Sequence, residues 1–478
     1  MKRVLAAGAA AVALAAPSTA VAVTLPNDPL APRQWYLGRD RALDIFDAAK
    51  QLFPVRVAVI DSGIDLGHPE LRGRIVKMKS FVGGTMADEL GHGTFVAGEI
   101  AAIADNGAGI AGLAPPARLV IAKVVGPDGT ISPKAEARAI RWAVRKRARV
   151  INLSFGSVRD PVNGVNDGYS SAERRAIEFA VRRGVLVVAA AGNGNDAPTR
   201  PWPYASYPAA FPHVLGVSAY GKSGRVPMFS NRDGQYVDLT APGIDMVSLF
   251  PRSLTRSYPD CVDQGYSVCG TKEFRNANGT SFSSPQVAAA AALLLGDIPV
   301  LRPDQVSQIL RTAADDATPA NGCVDCTPGP DALTGFGRLD VGTAMSALGA
   351  GWPPADRLEP NDDTGSHAAL VNRKLNVRAT LDWWEDPSDV YRVYLRRGQG
   401  ISALVRSNAR IDASLILWKP GLRRLADVRS DLRARRSIHA PGVPERIAYR
   451  SHKSGWYYVQ VKLARPGDQG PYRIRLAT

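Results

Sequence analysis

The stretch NGTSFSSPQ (278–286) crowds Thr280, Ser281, Ser283 and Ser284 into the mouth of an apolar run over 287–295. A buried helix ordinarily opens on one capping hydroxyl, so the excess asks for another use. A hydroxyl becomes a competent nucleophile only when a base takes its proton and a further group orients that base. Of six histidines, His92 lies between Gly91 and Gly93 in ELGHGTFVAGEIAA (89–102), just ahead of an apolar helical pattern. Asp61 closes the apolar, β-branched run VRVAVID (55–61), where a shielded carboxylate suits an orienting role toward an imidazole. Acyl transfer also needs a donor toward the developing oxyanion. Asn193, following Gly192 at the end of VVAAAG (187–192), offers its side-chain amide, and a backbone N–H at the start of the helix from 281 offers a second. Chemistry alone leaves open which of Thr280, Ser281, Ser283 and Ser284 attacks. Singly, each piece reads as a turn, a cap or a loop; together they predict an acyl-transfer site.

Such a site needs a scaffold that brings distant segments to one place. Short apolar runs at 55–61, 118–125, 150–155, 185–192 and 213–220 alternate with helical patterns at 132–148 and 170–184. Strands apolar on both faces, alternating with helices, predict a mostly parallel α/β sheet, whose sites gather at the carboxyl ends of the strands. After residue 350 the texture changes. GWPPADRLEPNDDTGS (351–366) is rich in Pro, Asp and Gly, and short alternating runs follow at 389–395, 401–407, 413–419, 455–463 and 471–477. No helical pattern competes there, so a small all-β sandwich is predicted.

The motifs Asp61-Ser62-Gly63, His92-Gly93-Thr94-Phe95-Val96-Ala97-Gly98 and Gly279-Thr280-Ser281-Phe282-Ser283-Ser284-Pro285 resemble those of the subtilisin-like serine peptidases, the subtilases, over residues 25–345. The resemblance implies a three-layer α/β fold and a serine endopeptidase. In it Asp61 orients, His92 is general acid and base, Ser281 is the nucleophile and Asn193 the oxyanion donor. It also implies a protein or peptide substrate that pairs with main chain at 153–156 and around Gly126 and Gly129. Ser154, Phe155, Gly156, Ala190 and Gly192 would line the primary specificity pocket; their uncharged walls point to an apolar or aromatic residue before the cut. No cofactor is required for the chemistry, while a structural calcium ion is an option, with Asp28, Glu70 and Asn106 as its oxygen ligands. Glu70 stands where many relatives carry Asp, and Phe95 where relatives often carry His. Only the stretch over 23–54 separates the expected signal peptide from the first core strand, so no folding pro-domain is expected there. The stretches at 356–370, 386–395 and 455–461 resemble the bacterial pre-peptidase C-terminal domain, which implies contact with a cell surface or polymer. The rival readings are a subtilase-shaped protein that binds without cutting and a surface adhesin that works through the sandwich.

Composition bounds the rest. The chain has 478 residues, 45% hydrophobic and 22% charged, and carries a net charge of +15 spread over many arginines. No nucleic-acid motif accompanies that charge, so no nucleic-acid partner is expected. Lys2 and Arg3 precede an apolar run over 4–16 and the small residues Ala20-Val21-Ala22, the pattern of a signal peptide. We expect a secreted protein, with no membrane anchor, that acts as a monomer. The expected divisions are a signal peptide (1–22), an N-terminal arm (23–50), a catalytic domain (51–350), a linker (351–365) and the sandwich (366–478). Four cysteines fit an exported chain, and two local disulfides are expected, Cys261 with Cys269 and Cys323 with Cys326.

Overall fold

A computed structural model of the chain describes residues 25–126, 129–255, 267–268, 273–353, 356–384, 386–409, 411–425 and 430–478. The expected signal peptide and the expected Cys261–Cys269 pair lie outside these residues. Seven strands form the central sheet: β1 (Arg56–Asp61), β2 (Ile75–Ser80), β3 (Arg118–Lys123), β4 (Val150–Leu153), β5 (Leu186–Ala190), β6 (Val214–Tyr220) and β7 (Leu239–Pro242). Their order is β2-β3-β1-β4-β5-β6-β7, and every pairing is parallel. Chain direction across the sheet reverses at β1, which pairs β3 on one side and β4 on the other. A crevice at the carboxyl ends of such strands is the ordinary seat of a site.

Burial explains why these runs lack alternation. Val57 and Val59 of β1 face one apolar cluster, and Ala58 and Ile60 face another. The first cluster takes α3 (His92–Ala101) and α6 (Ser284–Asp297); the second takes α4 (Pro133–Arg145) and α5 (Ser171–Arg182). The fold is the expected subtilisin-like three-layer α/β arrangement. Ser170 caps α5 through Glu173 N–H, whereas Ser132, at the corresponding position of α4, makes no side-chain cap. Two short helices, α1 (Trp35–Arg39) and α2 (Phe46–Ala49), belong to the N-terminal arm. That arm is stitched to the far end of the α/β unit. Val341, which opens α8 (Val341–Ala347), donates its N–H to Asp40 O at 2.8 Å, and Arg41 pairs with Asp340 at 3.1 Å. Between α6 and α8 lies α7 (Pro303–Ala313). The disulfide Cys323–Cys326 is formed.

A small antiparallel sheet, of β8 (Met246–Leu249), β9 (Ser267–Val268) and β10 (Phe274–Ala277), precedes Ser281. Among the described residues the C-terminal part has nine strands: β11 (Ala369–Leu370), β12 (Lys374–Asp382), β13 (Ser388–Leu395), β14 (Gly400–Ser407), β15 (Ala413–Trp418), β16 (Arg433–Ser437), β17 (Glu445–Arg450), β18 (Gly455–Leu463) and β19 (Gln469–Ala477). They form two sheets, β11-β13-β18-β15-β16 and β12-β19-β14-β17, around one apolar cluster that includes Tyr391, Leu415, Val459 and Ile474. This is the expected sandwich. No helix among the described residues is long and apolar enough to cross a membrane.

Candidate active site

Asp61, the last residue of β1, and His92, the first of α3, meet where strand end and helix start abut. Asp61 Oδ1 lies 2.8 Å from His92 Nδ1 and also accepts the Ser62 N–H at 2.7 Å. Glycine permits the approach: a Cβ on Gly93 would stand 2.4 Å from Gly63 O and 3.2 Å from Asp61 Cβ. Asp88, which sequence reading missed, ties the same corner. Its Oδ1 accepts Ser62 Oγ–H (2.7 Å) and Gly91 N–H (2.8 Å), and its Oδ2 accepts Thr94 N–H (2.8 Å). An acid four residues before His92 was the available signal, but only the fold reveals that it caps α3. Burial disfavours the charged imidazole of His92. Asp61's charge and hydrogen bond outweigh that, and the pKa is raised above 6.5.

Ser281 sits in a 3-10 turn (Thr280–Phe282) that leads into α6. Its three hydroxyl neighbours are bound to structure. Thr280 Oγ1 donates to Asn193 Oδ1 at 2.8 Å, and Ser283 Oγ is 3.1 Å from both Ala241 O and Pro242 O. Ser284 Oγ lies 3.0 Å from Ser154 Oγ. Asn193 Oδ1 also takes the Thr280 N–H at 2.9 Å. Ser154, expected in the pocket wall, does more: its hydroxyl donates to the Ser281 carbonyl at 2.7 Å and accepts from Asn152 Nδ2 at 2.8 Å. The Phe282 ring lies between the His92 ring (5.4 Å) and Phe95 (4.5 Å), tilted to both. Phe95 thus backs the imidazole through one aromatic neighbour.

His92, Asn193 and Ser281 line one cavity of about 350 Å³, together with all six residues expected to touch substrate: Gly129, Ser154, Phe155, Gly156, Ala190 and Gly192. Asp61 lies behind His92, outside the lining. Gly192 has φ +107°, and a Cβ there would stand 2.4 Å from Ser206 Oγ, so only glycine leaves this wall open. The lining also includes Ser206, Asn231 and one charged group, Asp196. That carboxylate is exposed and stands outside the five residues expected to form the specificity pocket, which carry no charge.

The three oxygen donors expected to hold calcium do come together. Asp28 accepts N–H bonds from Asp105 (2.9 Å) and Asn106 (3.2 Å), and Asn106 Nδ2 donates to Glu70 Oε1 at 3.2 Å. Glu70 Oε2 is buried without a hydrogen-bond partner. Burial raises the carboxyl of Asp28 and holds that of Glu70 up at about 7. Two other clusters, unread in the sequence, bring three ligand-type atoms within 4.8 Å of one another: His213 with Glu359 and Asp362, and Asp356 with Glu359 and Asp389.

Comparison with known proteins agrees with this fold. The profile described as the Subtilase family matches residues 54–337. The chain belongs to the subtilase family. This subtilase is 31% identical over 356 residues to the cell wall-associated protease of Bacillus subtilis (strain 168), a match that covers 68% of the chain and 36% of that protein. It is 35% identical over 247 residues to the major intracellular serine protease of the same organism, covering 50% of the chain and 68% of the relative. With subtilisin DY of Bacillus licheniformis it shares 33% over 262 residues, 54% of the chain and 83% of the relative. Among solved structures, one titled as a lanthipeptide protease is similar in fold, with a TM-score of 0.54 and 24% identity, over 69% of the chain and 100% of that structure. Family membership supports serine-peptidase activity in general terms.

Proposed function

We propose that this subtilase is a secreted serine endopeptidase that cuts peptide bonds through Asp61, His92 and Ser281. The observation that carries the reading is the 2.8 Å Asp61–His92 bond set behind a cavity lined by His92, Asn193 and Ser281. Ser281 attacks the scissile carbonyl while His92 takes its proton. Asp61 fixes the imidazole tautomer and stabilises the imidazolium. With Asn193 Oδ1 engaged by Thr280, Nδ2 is the donor left for the oxyanion, joined by a backbone N–H of the turn. His92 then gives its proton to the leaving amine, and water resolves the acyl-enzyme. The choice of Ser281 over its neighbours is supported by the bonds that hold Thr280, Ser283 and Ser284.

Substrate pairs with main chain at 153–156 and beside Gly129. The residue before the cut enters between Phe155, Gly156 and Ala190 and is apolar or aromatic. Asp28, Glu70 and Asn106 would hold a calcium ion that ties the N-terminal arm to the loop after α3; the buried, unpartnered Glu70 Oε2 and the all-oxygen donor set suit it. The sandwich serves as a module of the pre-peptidase C-terminal kind.

Labelling with a fluorophosphonate, wild type beside Ser281→Ala, followed by peptide mapping, tests the assignment. An adduct on Ser281 that is lost in the variant is expected. A folded sample that stays unlabelled, or an adduct on Thr280, Ser283 or Ser284, would overturn it.

A further inference from the structure

The outward face of the four-stranded sheet in the sandwich carries opposed arginines. Arg378 of β12 stands directly across from Arg473 of β19, and Arg473 directly across from Arg406 of β14. Two residues along, Arg475 faces Leu404, and Leu404 faces Arg446 of β17. All five arginines are exposed, and among the described residues none has an ion-pair partner. Like charges directly opposite one another destabilise a sheet. Protection of a sheet edge does not explain them: in the order β12-β19-β14-β17, Arg473, Arg475 and Arg406 lie on the two inner strands. The face is also concave. Arg378, Arg406 and Arg473 line a groove of about 480 Å³ with Thr380 and Pro471.

We propose that this face binds a linear anionic polysaccharide, whose carboxylate or sulfate groups lie along the groove and take the guanidinium forks of Arg378, Arg473 and Arg406. Charge complementarity names an anion, and the planar fork of Arg matches carboxylate and sulfate oxygens better than a lysine ammonium does. The other side chains on the face narrow the class. Asn376, Thr380, Ser402, Leu404 and Ala448 share it in register, and Tyr472, which also lines the groove, is buried in the sandwich core, so the face offers no aromatic ring for stacking a nucleic-acid base. A recessed floor admits a chain, where a flat bilayer would rest on the rim. The inference stands apart from the peptidase reading, since none of these residues lines the cavity at Ser281.

The test uses the full chain and fluorescein-labelled heparin, read by anisotropy across a salt series. The variant R378Q/R406Q/R473Q is compared with R72Q/R145Q/R175Q, which removes three exposed arginines from the α/β unit. At physiological salt the first is expected to lose roughly tenfold or more in affinity with a shallower salt slope, and the second less than about twofold. The first variant should melt no lower than wild type and should cleave a peptide substrate unchanged. R378K/R406K/R473K, which keeps the charge and loses the fork, should fall between wild type and R378Q/R406Q/R473Q. Equal losses in the Gln variants, or no wild-type binding, would overturn the proposal. So would displacement of heparin by duplex DNA or by phosphatidylglycerol vesicles at a lower concentration of charge than unlabelled heparin needs.

Discussion

Arg311 of α7 and Asp382 of β12 grip one another across the two parts of the chain, with Nη1 3.0 Å from Oδ1 and Nη2 bound to Oδ2. The guanidinium is only 2% exposed, and Asp238 lies 3.7 Å away on its other side. Nearby, His213 meets Asp362 at 3.0 Å and Glu359 at 3.3 Å, and Asp304 accepts the Asp356 N–H at 2.8 Å. The joint between the α/β unit and the sandwich is thus rich in buried charge, with the Phe336 and Trp384 rings meeting beside it at 4.4 Å.

Removing one partner of such a pair strands the other in a medium that solvates it poorly. Asp382→Ala is expected to cost about 3 kcal/mol of stability. It should also hasten limited proteolysis between the two parts. Urea unfolding followed by tryptophan fluorescence would check this, and a change below about 1 kcal/mol would mean that Asp238 alone suffices to hold the guanidinium.

Asp61→Asn should lower kcat roughly 10⁴-fold while the fold persists. The pH profile carries the sharper signature. Burial lowers the pKa of His92, but Asp61 more than offsets it, so the acid limb of wild-type kcat/KM should lie above 6.5, with activity rising as the imidazole loses its proton. In the Asn variant that limb should move down. Stability runs the other way. A histidine whose folded pKa is raised contributes stability fully below its unfolded value, and the contribution is lost as pH rises through the folded one.

Ser154→Ala removes the hydroxyl that links Asn152 Nδ2 to the Ser281 carbonyl. The expected result is a fall of roughly tenfold in kcat with little change in KM, and about 1–2 kcal/mol of lost stability from the stranded buried groups. Steady-state kinetics on a short chromogenic peptide separates the two constants; a change confined to KM would place Ser154 in the pocket wall alone.

Calcium in excess should raise the melting temperature by roughly 5 °C, and a chelator should reverse it. Glu70→Gln should abolish the response, which differential scanning calorimetry would register. An undiminished response in that variant would move the ion elsewhere, with the cluster of Asp356, Glu359 and Asp389 next to be tested.

Much of this molecule was legible from the chain alone, because buried parallel strands write long apolar runs. The apolar runs at 55–61, 118–125, 150–155, 185–192 and 213–220 became β1, β3, β4, β5 and β6. The residues of the candidate site were readable for a related reason: each sits beside glycines that mark where backbones crowd. Strand β12 was legible but unread: Leu375, Val377, Ala379 and Leu381 alternate with Lys374, Asn376, Arg378, Thr380 and Asp382, the pattern of a half-buried strand. Asp88 and Asn152 were missed because their work is done on residues they meet only after folding. The grip of Arg311 on Asp382 spans 71 residues of sequence and has no local trace.

The stitching of Asp40 and Arg41 to Asp340 and Val341 has a consequence for synthesis. A ribosome delivers the arm first and this part of its seat far later. Until residue 341 has emerged, the arm lacks this part of its seat, although Asp28 and Gln34 already reach Asp105, Asn106 and Ala111, and Ser281 itself arrives only after β1 through β7 have been made. A chain that stops short of Ser281 therefore carries Asp61 and His92 but not the candidate nucleophile, the last of the three to be made.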